Sequence, residues 1–152
     1  MSEIGFYHLQ TQPLERALPR LLEKVLQSGA RAVVRAASRE RVEALNTALW
    51  TYGKDSFLPH GSEADGFSDR QPIYLTAGRE VPNGAAILVL VDGADAPDAE
   101  AFQRCLDMFD GNDEAAVEAA RRRWRDFKAA GHRLTYWQQT ERGGWHKAAG
   151  AD

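Results

Sequence analysis

The densest run of chemically capable side chains lies between Asp113 and Gly131, DEAAVEAARRRWRDFKAAG. On a helix of 3.6 residues per turn, Val117, Ala120, Trp124 and Phe127 share one apolar face, and Arg121, Arg125 and Lys128 line the strip beside it. A guanidinium binds carboxylates through charge-assisted hydrogen bonds, and a neighbouring indole adds an apolar wall. Arginine and tryptophan are also the types that dominate binding hot spots. The ligand implied is both acidic and apolar, such as an acidic peptide with an apolar tip. The competing reading puts Trp124 and Phe127 in the core and leaves the arginines as a solvated face. The exposure of Trp124 decides between them. A net charge of −3 at pH 7 argues against broad nucleic-acid binding. Direct binding of single-stranded DNA by these arginines and Trp124 would be strongly salt-dependent.

Other chemistry is sparse. There is no GxxxxGK or GxGxxG loop for phosphate. Asp92 follows the apolar run AILVLV, where open α/β sheets place functional acids, so a small nucleotide-handling enzyme using Asp92 is the alternative reading. Asp92-Gly93 also makes an ordinary turn, which is favoured. His60 sits at a loop corner without an orienting partner, and His8, His132 and His146 are scattered, so no catalytic residue, cofactor or metal site is expected. Cys105, the single cysteine, falls in AEAFQRCLDMF, read as a helix, where a buried inert thiol is expected. The second candidate site is the stretch Trp50 to Gly61, read as a loop. Trp50, Tyr52, Phe57 and Leu58 give it much apolar area, and Pro59 fixes how Phe57 and Leu58 are presented. They belong either to the core or to a protein interface.

These residues need elements to hold them. At 152 residues, with 43% hydrophobic and 27% charged, one domain over 1–152 is expected. No signal peptide opens the chain and no apolar run is long enough to span a bilayer, so no membrane association and a cytoplasmic location are expected. Strands are expected at Ile4 to Leu9, Arg31 to Ala36, Ile73 to Thr76, Ala86 to Val91 and Leu134 to Gln138. A helix follows Pro13, carries Leu14, Leu18, Leu21, Leu22 and Val25, and ends at Gly29. Pro19 lies inside it and argues for a later start. Ser38 caps a second helix with Val42, Leu45 and Leu49 or Ala48 inward, and Asp98 caps a third with Phe102, Leu106 and Phe109 on one face. Residues 61 to 70 read as mobile, and the tail from Thr140 as loose unless Trp145 ties it down. Strand and helix alternate, and AILVLV is apolar throughout. The fold class is therefore α/β: a three-layer, open, mostly parallel sheet with helices on both faces.

FYHL near the start, LNTALWTYGKDSFLPHG, QPIYL, DMFDG and AARRRWRDFKAAGHRLTYWQ together resemble the chi subunit of bacterial DNA polymerase III, in order and over nearly the whole chain. The LW…SFLPH segment is the most specific part, followed by the arginine-rich helix. The resemblance implies one chi-like domain with a mononucleotide-binding fold that binds no nucleotide. It also implies a non-catalytic accessory subunit of the clamp-loader complex in DNA replication. Its implied partners are the psi subunit, where the organism has one, and the acidic, aromatic-tipped C-terminal tail of single-stranded-DNA-binding protein. Arg121 and Trp124 match the family's tail-binding positions, with Arg125 on the same strip. Trp50 and Phe57, with Leu58 and Pro59 beside them, match the site where psi docks and, in some members, an accessory helicase. The chain departs from the family at Val117, where better-known members carry a lysine. Arg125 or Lys128 is expected to compensate.

Overall fold

The computed structural model describes residues 2–53 and 58–151. In chain order the elements are β1 (Glu3–Leu9), α1 (Leu14–Gln27), β2 (Ala32–Arg35), α2 (Arg39–Thr51), β3 (Gly61–Ser62), β4 (Ile73–Thr76), β5 (Ile87–Leu90), β6 (Arg104–Asp110), α3 (Glu114–Ala129), β7 (Arg133–Gln139) and β8 (Trp145–Ala151). The strands form one sheet in the order β3-β4-β2-β5-β6-β1-β7-β8. All neighbours are parallel except the β7–β8 pair. On one face α1 and α2 bury Leu18, Leu22, Val42, Leu45 and Leu49 against Val34, Val89, Leu106 and Met108. On the other, α3 buries Ala120 and Phe127 against Phe6, Phe109 and Leu134. The fold is the three-layer α/β sheet that the alternating pattern implies.

Several local expectations are corrected. The segment from Asp98 to Phe109 is no α-helix. Ala99–Ala101 makes a single 3-10 turn, and Arg104–Asp110 is the strand β6. Phe102, Leu106 and Phe109 fit helical spacing, but β6 lies between β5 and β1 and is covered on both sides. Cys105 and Phe109 therefore face α3 while Leu106 and Met108 face α1. A strand buried on both faces loses the polar alternation that would have distinguished it from a helix.

α1 begins at Leu14, directly after Pro13, so Pro19 does not delay it. Pro19 removes one helical hydrogen bond but is itself buried in the helix's apolar stripe. The second helix continues through Thr51, so Trp50 is helical and not part of a loop. Residues 61–70 hold β3 and two 3-10 turns. Asp65 accepts from the Ser62 backbone N–H at 2.9 Å and from Asn46 at 3.0 Å, anchoring that segment to α2. The tail is strand β8, with the Trp145 ring edge-on to Tyr7 at 5.0 Å.

Candidate functional site

α3 forms as its sequence requires. Asp113 caps it, its carboxylate accepting from the Ala115 N–H at 3.0 Å, and Gly131 after its end takes a φ of 89°. The helix is fixed in rotation by Arg123, whose Nε and Nη2 donate to the two oxygens of Asp107 at 2.6 and 3.0 Å. Asp107 is buried in β6; burial pushes its carboxyl up from the ordinary range, and the Arg123 guanidinium opposes that rise. Arg123 turned inward leaves Arg121 and Arg125 exposed on the adjoining strip.

Between this strip and the sheet lies a cleft of ≈ 430 Å³. α3 supplies Val117, Ala120, Arg121, Trp124 and Arg125 to it, β1 supplies Phe6 and His8, β6 supplies Phe109, and β7 supplies Tyr136. Trp124 is half-buried. It packs edge-on against Phe6 at 5.4 Å and Tyr136 at 6.2 Å, and it also lines the cleft. The two readings of Trp124 are thus both met, by different parts of one ring. Val117 contributes an apolar wall. Lys128 is exposed and does not line the cleft. It lies seven residues past Arg121, about 10.5 Å along the axis at 1.5 Å per residue. The site can therefore hold an apolar group against Trp124, Phe6 and Phe109, and it offers guanidinium donors to carboxylates at the rim.

Phe6, His8, Phe109 and Tyr136 were not legible as site residues. Their signal was strand parity, since Phe6 and His8 are alternate residues of β1 and share a face. His8 hydrogen-bonds Tyr136 Oη through Nδ1, and its ring lies over Gly111. Burial holds the His8 pKa below 6.5, with Arg121 acting in the same direction and the Gly111 carbonyl and Asp110 against it. Burial raises the Tyr136 phenol.

The second candidate site divides. Trp50 is 52% exposed near the end of α2, with its ring 4.7 Å from that of His60. Leu58 is buried in the core and Pro59 is half-buried. Phe57 lies outside the described residues. His60 is buried, its Nδ1 donating to the Leu58 carbonyl at 2.6 Å, so it staples this segment from beneath.

Asp92 sits in a left-handed turn (φ 56°) beside a larger cleft of ≈ 860 Å³ at the C-terminal ends of β1, β5 and β6. Its carboxylate accepts from Arg41 Nε at 2.7 Å, and Arg41 also holds Glu15 at 2.7 Å. Both arginines lining that cleft, Arg41 and Arg123, are thus engaged with carboxylates, and Glu15, Asp92, Asp110 and Asp113 surround them. That is a poor cradle for phosphate. Cys105 is fully buried and burial pushes its thiol up to about 12, so it is inert as expected, though in a strand. Among the described residues no group of three or more His, Cys, Asp or Glu could hold a metal, and no helix is long and apolar enough to cross a membrane.

The sequence model of one family, described as DNA polymerase III chi subunit, HolC, matches residues 1–135. A protein of Rickettsia prowazekii (strain Madrid E), named probable DNA polymerase III subunit chi, is 36% identical over 95 residues. That match spans 62% of this chain and 58% of the relative's length.

Proposed function

The chain belongs to the DNA polymerase III chi subunit family, and from that premise we propose that it is a non-catalytic adaptor of the clamp-loader complex, cytoplasmic and folded as one domain over 1–152. It binds the acidic C-terminal tail of single-stranded-DNA-binding protein in the cleft under α3, and the psi subunit, or an accessory helicase, around Trp50, Phe57 and Pro59. The observation that carries the first assignment is the cleft itself. Exposed guanidiniums at Arg121 and Arg125 border a pocket walled by Trp124, Phe6 and Phe109. An acidic peptide with an aromatic tip matches that pairing of charge and apolar surface. Val117 makes the rim less cationic than in family members with lysine there, which shifts more of the binding onto Arg125.

The test is a calorimetric titration with the acidic tail peptide at low and moderate salt. One site is expected, weakened by salt and lost when the aromatic tip is deleted. Arg121→Glu is expected to reduce affinity at least tenfold, the loss of a charge-assisted bond, with the thermal transition unchanged. An unchanged affinity for Arg121→Glu would sink the assignment.

A further inference from the structure

His8 and Tyr136 line the cleft and carry its polar atoms on the sheet side. The His8 ring lies edge-on to Tyr136 and against Phe109, with its Nδ1 on the Tyr136 hydroxyl. It also lies over Gly111, where a Cβ would overlap the imidazole. The absence of a side chain at Gly111 leaves the ring the room it occupies beside the cleft. With its hydrogen on Nε2, a neutral His8 has only a lone pair at Nδ1, and the Tyr136 O–H donates to it. A cationic His8 donates from both nitrogens. The Tyr136 oxygen then accepts from Nδ1–H, and its own hydrogen is free to turn into the cleft.

We propose that His8 and Tyr136 form a carboxylate-recognising pair lining the cleft, Tyr136 donating its hydroxyl hydrogen to a carboxylate of the acidic ligand and His8 positioning it by taking up a proton. This rests on the reading of the cleft as an acidic-peptide site. The charges facing His8 fit the assignment. Arg121 on α3 opposes the proton in the empty cleft, while Asp110 at the end of β6 and the Gly111 carbonyl favour it. From β7, Tyr136 is held as a neutral phenol by burial, with Gln138 beside it. An arriving carboxylate pairs with Arg121, cancels its opposition and supplies a negative partner for the imidazolium. Binding and protonation therefore favour each other.

The experiment is a calorimetric titration of the full chain with a synthetic aspartate-rich peptide ending in phenylalanine, between pH 8.0 and 5.5 at constant ionic strength, in buffers of different ionisation enthalpy. The peptide carboxylates stay ionised over this range. Affinity is expected to rise about tenfold towards pH 5.5, with uptake of up to one proton per peptide. His8→Leu is expected to flatten the profile and abolish the uptake. His8→Gln, which keeps a polar group over Gly111, is expected to do the same and serves if His8→Leu does not fold. Tyr136→Phe is expected to lower affinity about tenfold at pH 6, the loss of one hydrogen bond to a charged group. Tight binding that is flat with pH, a slope that survives both His8 variants, or an unchanged affinity for Tyr136→Phe overturns the pair while leaving the peptide site standing. Absence of binding at every pH overturns the peptide site and the pair with it.

Discussion

Arg121 and Arg123 stand two positions apart on α3 and do opposite work. Arg121 is exposed at the rim of the cleft, and Arg123 is turned inward onto Asp107 in a two-pronged bridge. Removing the inner guanidinium leaves a carboxylate that is 1% exposed without its counter-charge. Arg123→Ala is expected to cost about 3–5 kcal/mol at pH 8, measured by denaturant unfolding. The sign with pH follows from burial, which raises the Asp107 pKa in the folded state. Without Arg123 nothing opposes that rise, so lowering the pH to 5 favours the protonated carboxyl and relieves part of the loss. An equal loss at both pH values would mean that Asp107 is not the group at fault. The arginine run was readable as a cationic strip in the sequence. Which arginine points inward was not, because its partner lies 16 residues away on a segment read as a helix.

Among the elements, β6 shows where sequence reasoning stops. The spacing of Phe102, Leu106 and Phe109 supports a helix on its own, and only the demand for a strand between β5 and β1 overrides it. Asp98, read as the cap of that helix, instead grips Arg35 of β2. Both Asp98 oxygens accept from Arg35, at 2.8 and 2.9 Å, and the Gly78 and Asp95 carbonyls accept the remaining bonds at 3.1 and 3.2 Å. The Arg35 side chain is 3% exposed and that of Asp98 31%. Asp98→Asn is therefore expected to cost roughly 2 kcal/mol, below the value for a fully buried pair because solvent screens the carboxylate. The Arg35 hydrogen bonds hold the Asp98 pKa below 3.8. A lowered folded pKa contributes stability above the unfolded value and loses it as pH falls through the folded one. The gap between wild type and Asp98→Asn should be full at pH 7 and close below about pH 4. A gap that persists in acid would assign the loss to packing instead. Boundaries set by capping and turn chemistry, such as Ser38 and Asp113, were by contrast readable within a residue or two, because their causes are local.

For the whole molecule, what was legible was the alternation of strand and helix, since a parallel sheet forces each crossover to cover one face or the other. The placement of the two sites relative to each other was not. α3 covers the face of Phe6 and Phe109, towards the β7 side of the sheet, whereas α2 covers the opposite face and packs near β3 and β4. The cleft with Arg121 and Trp124 and the exposed Trp50 are therefore carried by helices on opposite faces of the sheet and share no lining residue. Ligands bound on opposite faces do not compete for the same surface. The free energies of well-separated sites add to within a few tenths of a kcal/mol. The affinity for the acidic tail peptide is accordingly expected to change by no more than about twofold when psi is saturating. Arg121→Glu should abolish the peptide response without weakening psi, and Trp50→Ala should do the reverse. Arg121→Glu should keep the wild-type melting temperature, since Arg121 is exposed. Titrating the peptide into chain alone, into chain with psi, and into each variant separates the cases. Competition between psi and the peptide would place both on one surface and overturn the two-faced reading. Equal loss of both responses in either variant would signal a damaged fold rather than a lost contact.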